Sequence, residues 1–291
     1  MSTLPVRTPQ NQLTLELGCD AAKRTVLRHR YMAYPLSVSP IFRLEENAPS
    51  AAARAYLYRM NTSPGLLAGD AIGMSLKLDS RSQLYLTDQS ATKVHAMPHL
   101  ETSATVTYRV DLGEQTTLEF LPEPLILFAE AALTQTTEVT LHASAGLSWG
   151  EIILPGRLAR GEAYRFRQYF SRIRVRSPEG KLLFVEAMNL TGQDNRFAQT
   201  ALFASGSVLG SLILILPEAI ATAENLAALS CDIELLANSE SLSLASSVLP
   251  GDRGLFVRAI ASTTRELQSC FRSAVNYVRK LRNQAQLPYS V

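Results

Sequence analysis

Apolar and polar residues alternate with a period of two along most of the chain. The apolar series are Leu13, Leu15, Leu17; Met74, Leu76, Leu78; Leu84, Leu86; Ala104, Val106, Tyr108, Val110, Leu112; Leu118, Phe120; Val139, Leu141; Tyr164, Phe166 with Gln168; and Ile173, Val175. Residues two apart share a sheet face, so each series predicts a strand that buries one side. Turn signals separate them: Ser63-Pro64-Gly65, Gly69-Asp70, Asp79-Ser80, Leu112-Gly113, Pro155-Gly156, Gly161 and Pro178-Glu179-Gly180. Many short strands with such punctuation predict a mainly β body. No Gly/Ser linker, low-complexity tract or repeat divides residues 1–210, which are treated as one unit.

A helical period appears only late. Pro217 to Leu229 is rich in Ala and Glu, with proline at the first position, and predicts a helix. The stronger case is residues 263–282, where Thr263 and Glu266 form a capping box and Leu267, Phe271, Ala274, Val278 and Leu281 fall on one face. That face is expected against the sheets, with Arg272, Arg279 and Arg282 outside.

Composition narrows the class. Of 291 residues 46% are hydrophobic and 19% charged, which excludes a disordered chain. The longest apolar run, Val208 to Leu216, contains Gly210 and Ser211 and stops at Pro217, short of the ~20 residues of a membrane span. Met1 to Leu17 holds no signal-like apolar stretch, so a cytoplasmic protein without a membrane is expected. Cys19, Cys231 and Cys270 are scattered, encode neither disulfide framework nor zinc site, and are expected to be buried, inert thiols.

The net charge of +2 hides segregation. Residues 201–250 carry no Lys or Arg but hold Glu218, Glu224, Asp232, Glu234 and Glu240; residues 155–176 hold seven arginines against Glu162 alone. Arginine suits carboxylate pairing and interfaces as well as phosphate, so the bias does not itself define a nucleic-acid binder.

The P-loop, GxSxG, HExxH and GxGxxG patterns are absent from the sequence. His95 and His99 have the i, i+4 spacing of a helical metal pair, but Pro98 opposes a helix there, leaving weak metal candidates. Among carboxylates, Asp70 follows Gly69 in a tight loop, and Glu151, Glu162 and Glu186 flank apolar strand segments. Each is open to three roles: paired with arginine, solvated, or lining a channel.

Three Gly/Pro-rich loops and two later segments carry a resemblance. In order they are Pro64-Gly65-Leu66-Leu67-Ala68-Gly69-Asp70; Thr87-Asp88-Gln89-Ser90-Ala91-Thr92-Lys93-Val94-His95; Pro122-Glu123-Pro124 through Ala131; Pro155-Gly156-Arg157 with Gly161-Glu162-Ala163-Tyr164; and Gly254-Leu255-Phe256-Val257-Arg258-Ala259-Ile260. The series resembles the urease accessory protein family UreD, also called UreH. Pro64 and Ala68 stand where the family has glycines, Asp88 where it has threonine, and His95-Ala96 where it has Tyr-Arg.

The resemblance implies a single UreD-type domain over 1–291, with a β-helix-like stack of sheets to about residue 215 and a helix-containing part over 216–291. It implies a non-enzymatic scaffold that binds the accessory factor UreF, the GTPase UreG through UreF, and the urease apoenzyme, and leaves room for a dimer within that complex. It implies no tightly bound cofactor and no nucleic acid, with nickel in transit through a wet internal passage. By matching position Asp70, Thr92, Glu151 and Glu186 line that passage, while Gly65, Gly69, Lys93, Pro155, Gly156, Arg157, Gly161 and Glu162 are structural motif residues. Spaced carboxylates with water suit a passing divalent ion better than a His/Cys cage that would trap it.

Two other classes stand beside this one. A β-stack enzyme acting on an acidic polymer would use the basic stretch 155–176, and would need paired acids or a base in a groove. Nucleic-acid binding would use Tyr164, Phe166, Tyr169 and Phe170 interleaved with Arg165, Arg167 and Arg172, which sheet alternation explains equally well.

Overall fold

The computed structural model describes residues 11–45, 54–97, 99–192, 207–237 and 241–288. The chain winds between two sheets. One has seven strands: β1 (Asn11–Cys19), β2 (Thr25–Met32), β5 (Ala71–Leu78), β8 (Ala104–Leu112), β11 (Ala132–Leu141), β13 (Gln168–Arg176) and β14 (Leu182–Leu190), in the order β14-β13-β11-β8-β5-β1-β2. The other runs β16 (Leu242–Val248), β17 (Gly254–Ala261), β15 (Val208–Ile215), β12 (Gly146–Leu154), β9 (Thr117–Phe120), β6 (Gln83–Asp88), β4 (Arg54–Asn61), β3 (Leu36–Val38). Two short strands, β7 (Thr92–Val94) and β10 (Leu125–Leu127), join this second sheet beside β12.

From β4 to β13 the chain alternates between the sheets, and its neighbours within each sheet are parallel. This is the β-helix-like stack. Its register follows from the period-two pattern, because a slip of one residue would turn every apolar side chain outward. Leu15, Leu76, Val110, Val139 and Val175 form one cross-strand row on the first sheet. Leu57, Leu86, Phe120, Trp149 and Ile213 form the facing row on the second. Both rows belong to one buried cluster between the sheets.

The C-terminal part adds antiparallel strands and two helices. Helix α2 (Thr264–Leu281) has the expected capping box, with Thr263 accepting from the Glu266 amide. It packs against β12, β15 and β17 through Leu267, Phe271, Ala274 and Val278. Helix α1 (Ala223–Glu234) lies beside it. It is neither long nor apolar enough to cross a membrane, and neither is any other helix among the described residues.

Four expectations are corrected. Pro217 does not begin a helix: a single 3-10 turn covers Glu218–Ile220, and α1 starts after Thr222, whose hydroxyl accepts from the Asn225 amide. Tyr164 and Phe166 are not in a strand; Tyr164 has φ of 54° and its amide bonds to Pro155, so β13 begins only at Gln168. Arg279 is not outside but fully buried, because the inner face of α2 is wider than one stripe and two carboxylates meet it there. Cys231 is exposed on α1 and Cys19 half-buried; Cys270 is buried, which pushes its thiol up to about 11.

Candidate functional site

The inward phase of several strands is interrupted by polar residues, and register brings these together. On the second sheet Glu151, Ser211 and Arg258 are direct cross-strand partners, each in phase with inward apolar neighbours such as Trp149, Ile213 and Phe256. On the first sheet Gln135 pairs with Ser171, and Ile173 with both Thr137 and Glu186. The two rows face each other. Glu151 Oε2 accepts from Gln135 Nε2 at 2.6 Å, from Tyr169 Oη at 2.6 Å and from Ser171 Oγ at 3.2 Å. Arg258 Nη2 reaches Glu186 at 2.7 Å across the same gap and Ser211 with Nη1 at 3.0 Å.

This polar layer surrounds space. A cavity of about 60 Å³ is bordered by Arg59, Asp88, Thr92, Glu123, Gln135 and Glu151. A second, of about 30 Å³, is bordered by Thr137, Glu151, Ser171, Glu186, Ser211 and Arg258. Either exceeds the roughly 10–15 Å³ that one water needs, and both are polar enough to keep it. Glu151 lies on the wall of both. Burial pushes its carboxyl above the ordinary range, more than its three neutral donors and the distant Arg258 pull it down. Tyr169 is pushed well up by burial and by Glu151.

Asp88 is tied in differently. Arg59 grips it with two bonds, Nε to Oδ1 at 2.6 Å and Nη2 to Oδ2 at 2.8 Å, and spends Nη1 on the Tyr108 hydroxyl. Glu123 accepts from Gln268 of α2 at 3.0 Å.

The sequence-predicted residues divide into two groups. Thr92, Glu151 and Glu186 border the cavities. Asp70 borders neither: its Oδ2 accepts from the Leu67 amide at 2.7 Å and closes its own turn. Gly65 and Gly69, with φ of 144° and 82°, shape that turn, and a Cβ on Gly65 would lie 2.4 Å from the Lys93 carbonyl. The Lys93 carbonyl accepts from Leu66, while its side chain is exposed.

The Pro155-Gly156-Arg157 turn is held as a unit. Arg157 Nε donates to Glu162 at 2.9 Å, Glu162 also accepts from the Ala129 amide, and Gly161 ends the 3-10 turn Leu158–Arg160 with φ of 69°. His95 stacks edge-on to Phe128 with Nε2 3.1 Å from the Pro64 carbonyl. His99 is exposed, with its carbonyl accepting from Arg167, and Pro98 lies outside the described residues. Among the described residues no three of His, Cys, Asp and Glu gather as a metal cluster.

Sequence reasoning passed over Gln135, Tyr169, Ser171 and Arg258 as site residues, and over Asp88 and Glu123. The signal was present: Gln135 and Thr137 between Leu133 and Val139, and Ser171 before Ile173, are polar residues in the inward phase of a strand.

The two-sheet coil thus holds a polar layer at its centre, with α2 packed against β12, β15 and β17 at one side. A model of the family described as UreD urease accessory protein matches residues 10–290. The chain is 44% identical to the urease accessory protein UreD of Trichodesmium erythraeum (strain IMS101), over 96% of this chain and 98% of that protein. It is 27% identical to UreD of Haloarcula marismortui, over 92% and 85%, and 26% identical to UreD 2 of Brucella abortus (strain 2308), over 98% and 92%. The chain belongs to the UreD family of urease accessory proteins.

Proposed function

We propose that this chain is a non-enzymatic scaffold of urease maturation that works in the cytoplasm as one UreD-type unit. It holds the urease apoenzyme and UreF, with UreG attached through UreF, and passes nickel through its interior toward the urease active site. The observation that carries the conduit is the polar layer with Glu151 at its centre. A carboxylate enclosed between sheets, bonded by neutral donors to one oxygen and facing two cavities, offers a divalent ion charge compensation without a closed ligand set. Glu186 extends the layer along the smaller cavity and Thr92 along the larger. Asp70 serves by holding the turn at Leu66–Asp70, from which Leu66 borders the larger cavity.

The polyanion readings are weakened, because part of the basic stretch is spent on the chain itself. Arg157 bonds Glu162, Arg174 bonds Glu138, and Arg167 bonds the carbonyls of His99 and Thr102.

The test is co-purification with UreF followed by nickel-dependent activation of urease, using wild type and the Glu151→Ala/Glu186→Ala variant. A stable complex in both and a loss of activation of roughly tenfold or more in the variant supports scaffold and conduit together. Intact complex with unimpaired activation removes the conduit; no complex with wild type removes the scaffold.

A further inference from the structure

Arg258 puts a positive charge on the wall of the smaller cavity, where it repels a passing cation. It is also the last charged residue of its inward row. Along the second sheet that row runs Glu151, Ser211, Arg258 and then Ala245 on β16, the end strand. On the first sheet Glu186 and Met188, which face it, sit on β14, the end strand of that sheet among the described residues. The Arg258–Glu186 pair therefore bridges the two sheets close to their edge, with the side chains 33% and 32% exposed. Glu151 lies inward of it and borders the same cavity.

The guanidinium is held as a metal ion would be. Nη2 donates to the Glu186 carboxylate at 2.7 Å, and Nη1 to Ser211 Oγ at 3.0 Å and Met188 Sδ at 3.1 Å. Carboxylate, hydroxyl and thioether are all donors to a borderline-soft divalent cation such as nickel. The grip is weak: an ion pair of this exposure contributes little, and the remaining contact is the Phe256 ring, 4.9 Å from Cζ. On β16 the residues opposite Ile260, Arg258 and Phe256 are Ser243, Ala245 and Ser247, all small and exposed, which leaves room for the side chain to turn outward along the sheet edge.

We propose that Arg258 is a displaceable gate: its guanidinium holds the place of a divalent cation on Glu186, Ser211 and Met188, and sets the rate at which such an ion entering at the β14–β16 edge reaches Glu151. This rests on the conduit reading above and adds the regulation of that passage. Like charges cannot share the site, so the ion enters as the guanidinium leaves, and exchanging one cation for another keeps the Glu186 carboxylate paired throughout.

Trp149, the single tryptophan of the chain, is 5% exposed and borders both cavities. Nickel that reaches Glu151 quenches its emission, while burial shields it from nickel in bulk solvent. The full-length chain is mixed rapidly with nickel(II) chloride. Arg258→Gln, which keeps an amide donor without the charge, is expected to be quenched roughly tenfold faster than wild type. Arg174→Gln is the control, because it breaks an ion pair of similar exposure, with Glu138, in the outward phase of β13; its rate is expected to match wild type. Wild type alone, which depends on no variant folding, is expected to show a rate that levels off as nickel rises, since opening becomes limiting. Equal rates in wild type and Arg258→Gln, an equal acceleration in Arg174→Gln, or a wild-type rate that stays linear in nickel overturns the gate, while the quenching itself leaves the conduit standing. Absence of quenching in all three chains overturns the conduit reading and the gate with it, so the two failures are told apart.

Discussion

Two sets of buried acids behave in opposite ways. Glu45 and Glu119, under the end of α2, meet Arg54 and Arg279 in a buried network: Arg54 lies 2.9 Å from Glu119 and 3.3 Å from Glu45, and Arg279 2.8 Å from Glu45 and 2.9 Å from Glu119. Tyr56 donates to Glu45 as well. Against the upward push of burial, Arg54 and Arg279 hold the Glu119 carboxyl below its ordinary range. Glu151, in the layer between the sheets, has neutral donors and open space, and its carboxyl goes up. The same residue type is a bolt where guanidiniums close in on it, and an open site where neutral donors leave cavity space beside it.

The largest expected effect breaks the bolt. Arg279→Ala leaves two buried carboxylates short of a partner and removes one polar tie between α2 and the sheet, at a cost of about 3–5 kcal/mol. Urea unfolding measures it, and Arg279→Lys restores little because one ammonium cannot replace the bonds to Glu45, Glu119 and the Ala285 carbonyl. A loss under about 1 kcal/mol would show that the network carries no more than a surface pair.

Next in size is the turn that closes the coil beside β12. Gly156 has φ of 146°, and a Cβ there would lie 2.3 Å from the Glu162 carbonyl. Gly156→Ala is expected to cost about 2–3 kcal/mol in the same unfolding experiment, through backbone conflict with the Glu162 carbonyl.

These cases mark what the sequence displayed. The strands and the capping box of α2 were legible because each depends on residues near one another in the chain, whereas Arg157 and Glu162 were marked by resemblance as structural residues and not as a pair. The winding between sheets was not, since period two states which side is buried but not which strand lies next to it. Arg279 misled for a related reason: its partners Glu45 and Glu119 are more than a hundred residues away, and a charged residue near a helical stripe looks like a solvated edge. The polar layer was half legible. Glu151 and Glu186 came from resemblance, whereas Gln135, Thr137 and Ser171, polar in the inward phase of their strands, form one layer only through the register that aligns them.

A smaller effect tests the cap. Thr263→Ala removes the hydroxyl that accepts from the Glu266 amide and should cost about 1 kcal/mol. Hydrogen exchange should rise at the first turn of α2 and stay low at Val275–Val278, where the helix is packed on the sheet.

The smallest effect on stability sharpens the comparison most. Glu119 has a folded value below its ordinary 4.5, so its contribution is present above that value and is lost as pH falls through the lower, folded one. Glu151 is raised above the same 4.5: the folded chain keeps its proton longer than the unfolded chain, and stability falls as pH rises from 4.5 through the folded value. Glu151→Gln, which keeps the shape and an oxygen for Tyr169, should therefore be neutral in acid and stabilising by at most about 1 kcal/mol near neutrality. Glu119→Gln should destabilise near neutrality and converge on wild type in acid. Denaturation curves at a series of pH values read both signs in one experiment. If Glu151→Gln instead destabilises near neutrality, its charge is matched by a cation in the fold, and the distinction between bolt and open site disappears.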